Sequence, residues 1–355
     1  FMQQEQIQWE ANVWYLERLH LGKHRIDESK SLISISFMEV KEIQNREILQ
    51  AYMKYELGIT GQAVSTIVRR FVCIRNFIEL LEQEKILAIH ATVAEVKKYA
   101  DGLRERGIQA KGFNERIFGI GHFYKFMEVK QYITRMPFRI EYFQQKEVVV
   151  HHDRSVEETV YMEILKKLYL FPERLRCMFL HLWCLGLRAS EVCTLKGNAY
   201  YQQGEDYWIQ VYQVKMKNYK RIPIPQALYQ IMKVYLKKHE IQPEEFIFKN
   251  NRGGACLYGT FRTQMIEACR ENKIANGEYL FQSHDYRHTV ATMFYDSHVS
   301  LQSIRDYLGH TYEEMTRQYI DYMPQRIAKA NDEFFEMQGS SLASWLNYFL
   351  AFQRT

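Results

Sequence analysis

Between Arg46 and Val129 the apolar positions recur at helical spacing, and breaks in that period divide the segment into four predicted helices. Ile48, Leu49, Tyr52 and Tyr55 share one face, and Gly58-Ile59-Thr60-Gly61 ends the run. Val64, Ile67, Val68, Phe71, Ile74, Phe77 and Leu80 form the next stripe. Thr92 with Glu95 three residues on reads as a capping box opening a third helix, and a fourth runs from about Asn114 to Val129. The period lapses from Pro137 to Val150, which reads as a linker. Beyond it, Glu157–Leu170 and Glu173–Leu185 read as buried helices. Tyr207–Val214 is rich in strand formers, Lys215–Lys220 is turn-like, and Arg221–Pro225 returns as a strand whose prolines suit a sheet edge. Helical patterning then continues to about residue 335.

Two ends of the chain fit this frame less readily. Residues 1–44 are mixed and slightly acidic around the apolar cluster Val13–Leu16, and no chemistry is legible in them. After a Gly339-Ser340-Ser341 hinge, residues 342–352 carry the stripe Leu342, Trp345, Leu346, Phe349, Leu350 and Phe352. Such a stripe needs cover, either from its own domain or from a neighbouring copy.

A chain of 355 residues has room for two domains, and 47% hydrophobic with 25% charged residues is ordinary globular composition. No stretch reaches the ~18 uninterrupted apolar residues of a membrane span. The first residues lack the basic head and apolar core of an export signal. The 6 cysteines include no C-x-x-C pair, which argues against zinc and disulfides and for reduced thiols in a bacterial cytoplasm. Gly22-Lys23 is followed by His24 and lacks the rest of a phosphate loop, and no acidic triad for two-metal chemistry stands out.

The net charge of +5 is modest but unevenly placed. Arg104, Arg106, Lys111, Arg116, Lys125, Lys130, Arg135 and Arg139 outweigh Glu105, Glu115 and Glu128 in the same stretch. That is a stripe able to track phosphates, or equally a solvated helix face. Lys215, Lys217, Lys220 and Arg221 crowd the predicted hairpin turn as a second basic group.

The remaining cations fall in short motifs near the second half's helix ends. Arg188 stands where Gly186-Leu187 closes one apolar helix and Ala189-Ser190-Glu191 opens the next, with Glu191 spaced to orient it. His284 and Arg287 are one helical turn apart, so both face one side, whereas His288 points elsewhere and reads as structural. His310 follows Leu308-Gly309, a helix stop. Tyr319 and Tyr322 lie downstream. Arginine grips two phosphate oxygens at once and stays charged. A histidine can exchange a proton at neutral pH, and a tyrosine hydroxyl becomes nucleophilic beside a base in an electropositive site. Together these groups suffice for phosphodiester exchange without metal or nucleotide.

In order and spacing, Gly186-Leu187-Arg188, His284-x-x-Arg287, Leu308-Gly309-His310 and a tyrosine nine residues later resemble the tyrosine recombinase (phage integrase) family. The resemblance spans about residues 45–335, with its specific motifs between Gly186 and Tyr319. It implies a mainly α fold: a helical, SAM-like core-binding domain over 45–140, a linker over 141–152, and a mixed α/β catalytic domain over 153–335. That second domain would carry a small antiparallel sheet, and the two would form a C-shaped clamp on DNA. The last twenty residues would be a docking tail.

The resemblance also implies roles. Tyr319 would be the nucleophile (Tyr322 the runner-up), and Arg188, Arg287 and His310 the phosphate clamp. His284 would manage the tyrosine's proton, and a hairpin lysine, Lys217 or alternatively Lys215, would protonate the leaving oxygen. Arg104, Arg106, Lys111, Arg116, Lys125, Lys215, Lys220 and Arg221 would contact DNA. No cofactor or metal is implied. The expected partners are double-stranded DNA, three further copies in a synaptic homotetramer, and accessory bending or directionality factors, at a nucleoid-associated location. A transposon-borne recombinase fits the N-terminal extension better than a phage or housekeeping one. The alternatives are a type IB topoisomerase-like relaxing enzyme and a non-catalytic helix-turn-helix regulator, the latter suggested by Val299–Tyr319.

Overall fold

The computed structural model describes residues 8–19, 21–31, 34–148, 154–214 and 216–317, and the chain divides into two compact units. The first comprises Phe1–Val150 together with Gln213–Asn218, and the second His151–Tyr212 with Tyr219–Thr355. Both are mainly helical. No described helix is long and apolar enough to cross a membrane.

The first unit opens with a two-stranded antiparallel ribbon, β1 (Val13–Tyr15) and β2 (Ser34–Ser36), Val13 opposite Ser36. Four helices follow: α1 (Ile43–Gly58), α2 (Val64–Gln83), α3 (Val93–Glu105) and α4 (Ala110–Val129). The stripes read from the sequence face the core, with Tyr55, Val68 and Leu80 only partly buried, and the Thr92–Glu95 capping box is closed in both directions. α4 begins a turn earlier than its periodicity suggested, because Gln109, extended at φ −60° and ψ 150°, stands immediately before Ala110.

The residues ahead of α1 are built into this unit. Trp14 packs edge-on against Phe37, and Phe37 against Phe71 of α2. Arg25 donates to the carbonyls of Leu57 (2.6 Å) and Gln62 (2.9 Å), closing the C-terminal end of α1 with a cation where the helix dipole favours one. The stretch after Pro137 also packs. Phe138 and Phe143 are buried in the same core, and Asn114 of α4 exchanges two 2.8 Å hydrogen bonds with the backbone of Gln145. A lapse in helical period therefore marks irregular but anchored chain as far as Gln145.

In the second unit α5 (Glu158–Lys167) and α6 (Glu173–Leu185) precede the single turn and a half of α7 (Ala189–Cys193). Then comes a three-stranded sheet in the order β3 (Tyr200–Gln203), β4 (Asp206–Gln213), β5 (Asn218–Pro223), with Tyr200 opposite Ile209. The proline-bearing strand β5 is at the edge, where its missing N–H costs no ladder bond. Helices α8 (Gln226–Lys238), α9 (Tyr258–Glu271), α10 (Ser283–Asp296), α11 (Leu301–Leu308) and α12 (Glu313–Arg317) complete the described chain. α6 and α10 form the centre of the core, with Phe179 edge-on to Tyr286 at 5.1 Å.

Candidate active site

The ends of three helices converge in the second unit, and each end is made by a local sequence signal. Gly186 stops α6 in the left-handed conformation (φ 58°), and Gly309 stops α11 in the same way (φ 68°). Arg188 stands at the N-cap of α7, where Glu191 accepts both its backbone N–H and its guanidinium at 2.9 Å. The side chain of Glu191 is 2% exposed.

Gly186 is also a close approach. A Cβ added there would sit 3.2 Å from both Leu308 and Val290. Gly186→Ala is expected to combine ~1–2 kcal/mol of left-handed strain with ~1–3 kcal/mol of overpacking. Gly204→Ala is the control, since Gly204 has the same backbone conformation (φ 61°) with nothing within 4 Å. Urea denaturation of the two variants should separate strain from crowding. Equal losses would refute the packing argument.

Arg287 of α10 is fully buried and ties the helix ends together. Its guanidinium donates to the Gly186 carbonyl (2.8 Å), to the Leu308 carbonyl, and to His310 Nε2 (2.9 Å). Because arginine can only donate, His310 Nε2 accepts, and its proton lies on Nδ1, which donates to Thr316 Oγ1 at 3.0 Å. Burial, then Arg287, Arg188, Lys220 and His284, hold the His310 imidazole far below its ordinary pKa, so the ring is neutral.

His284 lies one turn before Arg287, its ring 5.4 Å from that of His288. His284 is exposed at the surface, yet surrounding atoms partly desolvate its imidazole, and with His288, Arg287, Arg154 and Arg188 they bring its pKa down to about 4. It too is neutral at pH 7.

The hairpin lysines part company. Lys220 of β5 faces inward, 8% exposed, with Nζ donating to the Tyr307 carbonyl at 2.9 Å. Burial lowers its pKa to about 7, with Glu191 opposing and Arg287 and Arg188 reinforcing that shift. Burial alone would raise the Glu191 carboxyl, but Lys220, Arg287 and Arg188 outweigh it and hold the group below the usual range. Lys217 is exposed at the turn (φ 54°), and its described hydrogen bond goes to the Gly61 carbonyl (3.2 Å), within the first unit. Lys215, Tyr319, Tyr322 and the 336–355 tail lie outside the described residues.

Arg188, Glu191, His284, Arg287 and His310 are therefore brought together, and Lys217 is not. Lys220 and Thr316 join them, a placement their sequence neighbours did not signal. Of the other expected DNA contacts, Arg104 pairs with Asp101 (2.6 Å) and Lys125 with Glu128 (2.6 Å). Arg106 donates to the Gly102 carbonyl, Arg116 to the Gly112 carbonyl, and Arg221 to Gln210. Lys111 is exposed. These are the arrangements of solvated helix and strand faces, with Arg116 partly buried.

Residues 154–326 match the model of the phage integrase family, a span that takes in all of this cluster. That segment, just under half of the chain, is similar to the phage integrase family's domain. Transposase B from transposon Tn554 of Staphylococcus aureus is 24% identical over 339 residues, 93% of this chain and 54% of the relative. The chain thus spans about half the length of the Tn554 transposases it matches. Tyrosine recombinase XerC of Bacillus licheniformis is 23% identical over 304 residues, 81% of this chain and 92% of that protein.

Among solved structures, the XerH site-specific recombinase in a post-cleavage complex with palindromic difH superposes with a TM-score of 0.60 at 14% identity. It covers 85% of this chain and 92% of its own. The Tn1549 transposon integrase in complex with a circular intermediate DNA gives 0.57 at 16% identity, covering 81% and 98%. At these identities the likeness establishes the fold, and the integrase domain's chemistry has to be argued from its own residues.

Proposed function

We propose that this chain is a transposon-borne, site-specific DNA recombinase that cleaves and rejoins double-stranded DNA through a 3′-phosphotyrosine. The observation that carries the reading is the convergence of Arg188, Arg287, Lys220 and two neutral histidines around one buried carboxylate, at the ends of α6 and α11. Such a site is built to receive an anion, and cations fixed before the substrate arrives need no reorganisation when charge develops on phosphoryl oxygens. The match to the Tn554 transposase supports the transposon assignment.

In the proposed reaction the Tyr319 hydroxyl attacks the scissile phosphorus, the bond to the 5′-oxygen breaks, and a phosphotyrosine and a free 5′-hydroxyl result. Neutral His284 accepts the phenol's proton. Arg188 and Arg287 hold the non-bridging oxygens, and His310 donates from Nε2 once its proton shifts there from Nδ1, which then accepts from the Thr316 hydroxyl, as Arg287 turns to the phosphate. Lys217 or Lys215, on the hairpin turn, delivers the proton to the leaving oxygen. A 5′-hydroxyl from a partner duplex reverses the step, so a Holliday junction forms between synapsed sites held by a homotetramer, with accessory factors setting direction. Neither metal nor nucleotide enters this scheme.

The test uses a duplex of the transposon end nicked near the cleavage position, so that the released strand fragment diffuses away. A denaturant-resistant adduct, mapped by mass spectrometry to a tyrosine in the 318–323 segment, is the expected product. DNA binding with no adduct at any pH between 6 and 9 would leave the helix-turn-helix regulator as the better account. An adduct with plasmid relaxation but no junction would favour the topoisomerase-like one.

A further inference from the structure

The last turn of α11 offers two successive free carbonyls, and two cations from different elements take them. Lys220 of β5 donates to the Tyr307 carbonyl, and Arg287 of α10 donates to the Leu308 carbonyl. Adjacent carbonyls at a helix end sit within a few ångströms of one another, so the ammonium and the guanidinium are near neighbours at the negative pole of the same helix. Both are buried, and Glu191 is the acidic group whose charge bears on all three of Lys220, Arg287 and Arg188. Around this carboxylate the site holds more positive charge than it can balance until an anion arrives.

We propose that Lys220 is a positioning residue whose neutral amine takes up a proton from solvent as the phosphodiester enters, so that clamp charge and substrate charge are matched on binding. This rests on reading the cluster as a phosphate site. The groups facing Lys220 are Glu191 of α7 and Arg188 at its N-cap, Arg287 from α10, Tyr307 from α11, and His310 beyond it. His310 is neutral, Tyr307 is held protonated by burial, and an arginine stays charged in proteins. Lys220 is thus the group of this set able to change charge near neutrality. Burial disfavours its ammonium when the site is empty, and a bound anion offsets that penalty.

An ammonium that forms only on binding has a consequence for the fold. The empty site does not have to hold three cations, two of them buried, against one carboxylate at full charge. The occupied site still offers the phosphate a cation braced on α11, whose C-terminal turn also sets the position of His310.

The experiment follows the ε-methylene signal of Lys220 by NMR in the full chain carrying ¹³C-labelled lysine, arginine and histidine, with each signal assigned by its loss on substitution, that of Lys220 in Lys220→Met or Lys220→Arg. Inorganic sulfate is the probe, because it is a tetrahedral oxyanion whose own charge is constant between pH 5 and 9. Sodium chloride at equal ionic strength is the control. In chloride, Lys220 should titrate near neutral pH. In saturating sulfate its midpoint should rise by a unit or more, a tenfold or greater gain in proton affinity. If the Arg188, Arg287 or His310 signals respond to sulfate while the Lys220 midpoint stays fixed, or if Lys220 is fully charged in chloride up to pH 9, the proposal fails and the phosphate reading stands. If sulfate moves none of the four, the phosphate reading fails and takes the proposal with it.

Discussion

Tyr319→Phe should abolish the denaturant-resistant DNA adduct while leaving duplex affinity and its salt dependence unchanged. The substitution deletes one oxygen. Affinity for a duplex comes chiefly from cations on backbone phosphates, and the phenol contributes none of that charge. A tyrosine hydroxyl titrates near pH 10, so its reactivity depends on a neutral base and a positive field. In the proposed reaction Arg188 and Arg287 supply the field and neutral His284 the base. Tyr322→Phe is the paired control, since Tyr322 lies three residues beyond Tyr319 in the sequence. It should retain adduct formation within a fewfold of the unsubstituted chain. Adduct persisting in Tyr319→Phe and vanishing in Tyr322→Phe would move the nucleophile by three residues and leave the cation cluster's role intact. Adduct persisting in the double substitution would remove phosphotyrosine chemistry from this segment.

The parts of this site that were legible beforehand are those written in local geometry. Gly186 and Gly309 announce helix ends because a left-handed residue is cheapest as glycine, and both do end helices. Glu191 three residues after Arg188 predicts their bond for the same reason that Glu95 predicts a capping box with Thr92. What stayed hidden depends on register. Lys215, Lys217, Lys220 and Arg221 look alike in a basic run, and only the strand's alternation, with 220 and 222 inward and 219 and 221 outward, singles out Lys220. The short strands β1, β2 and β3 carry too few residues for a period of two to emerge. The anchoring of residues 138–145 on α4 is tertiary and leaves no periodic trace. Local signals thus locate the two arginines, while packing decides what each one costs to remove.

That difference can be measured, because the two arginines are given one role and very unequal surroundings. Arg287→Gln should lower adduct formation by about 10²–10³, the usual cost of losing one fixed donor to a developing oxyanion. It should also destabilise the chain. Arg287 is fully buried and its donors satisfy two helix-end carbonyls and His310 at once, a span no glutamine reproduces. Removing a hydrogen-bonded buried charge typically costs ~3–5 kcal/mol, and here the Gly186 and Leu308 carbonyls would be left without their donor. Arg287→Lys keeps the charge but can reach only part of that span, so it should recover some stability and little rate. Arg188→Gln should lose a similar factor in rate at small thermodynamic cost. Its guanidinium reaches solvent, its described side-chain partner is Glu191, and that carboxylate keeps Lys220 and Arg287 as counter-charges. Adduct rates corrected for the folded fraction, set beside urea midpoints, separate the two effects. Equal destabilisation by Arg188→Gln and Arg287→Gln would mean that Arg287 does not tie α6, α10 and α11 together, and the preorganised clamp would lose its structural basis.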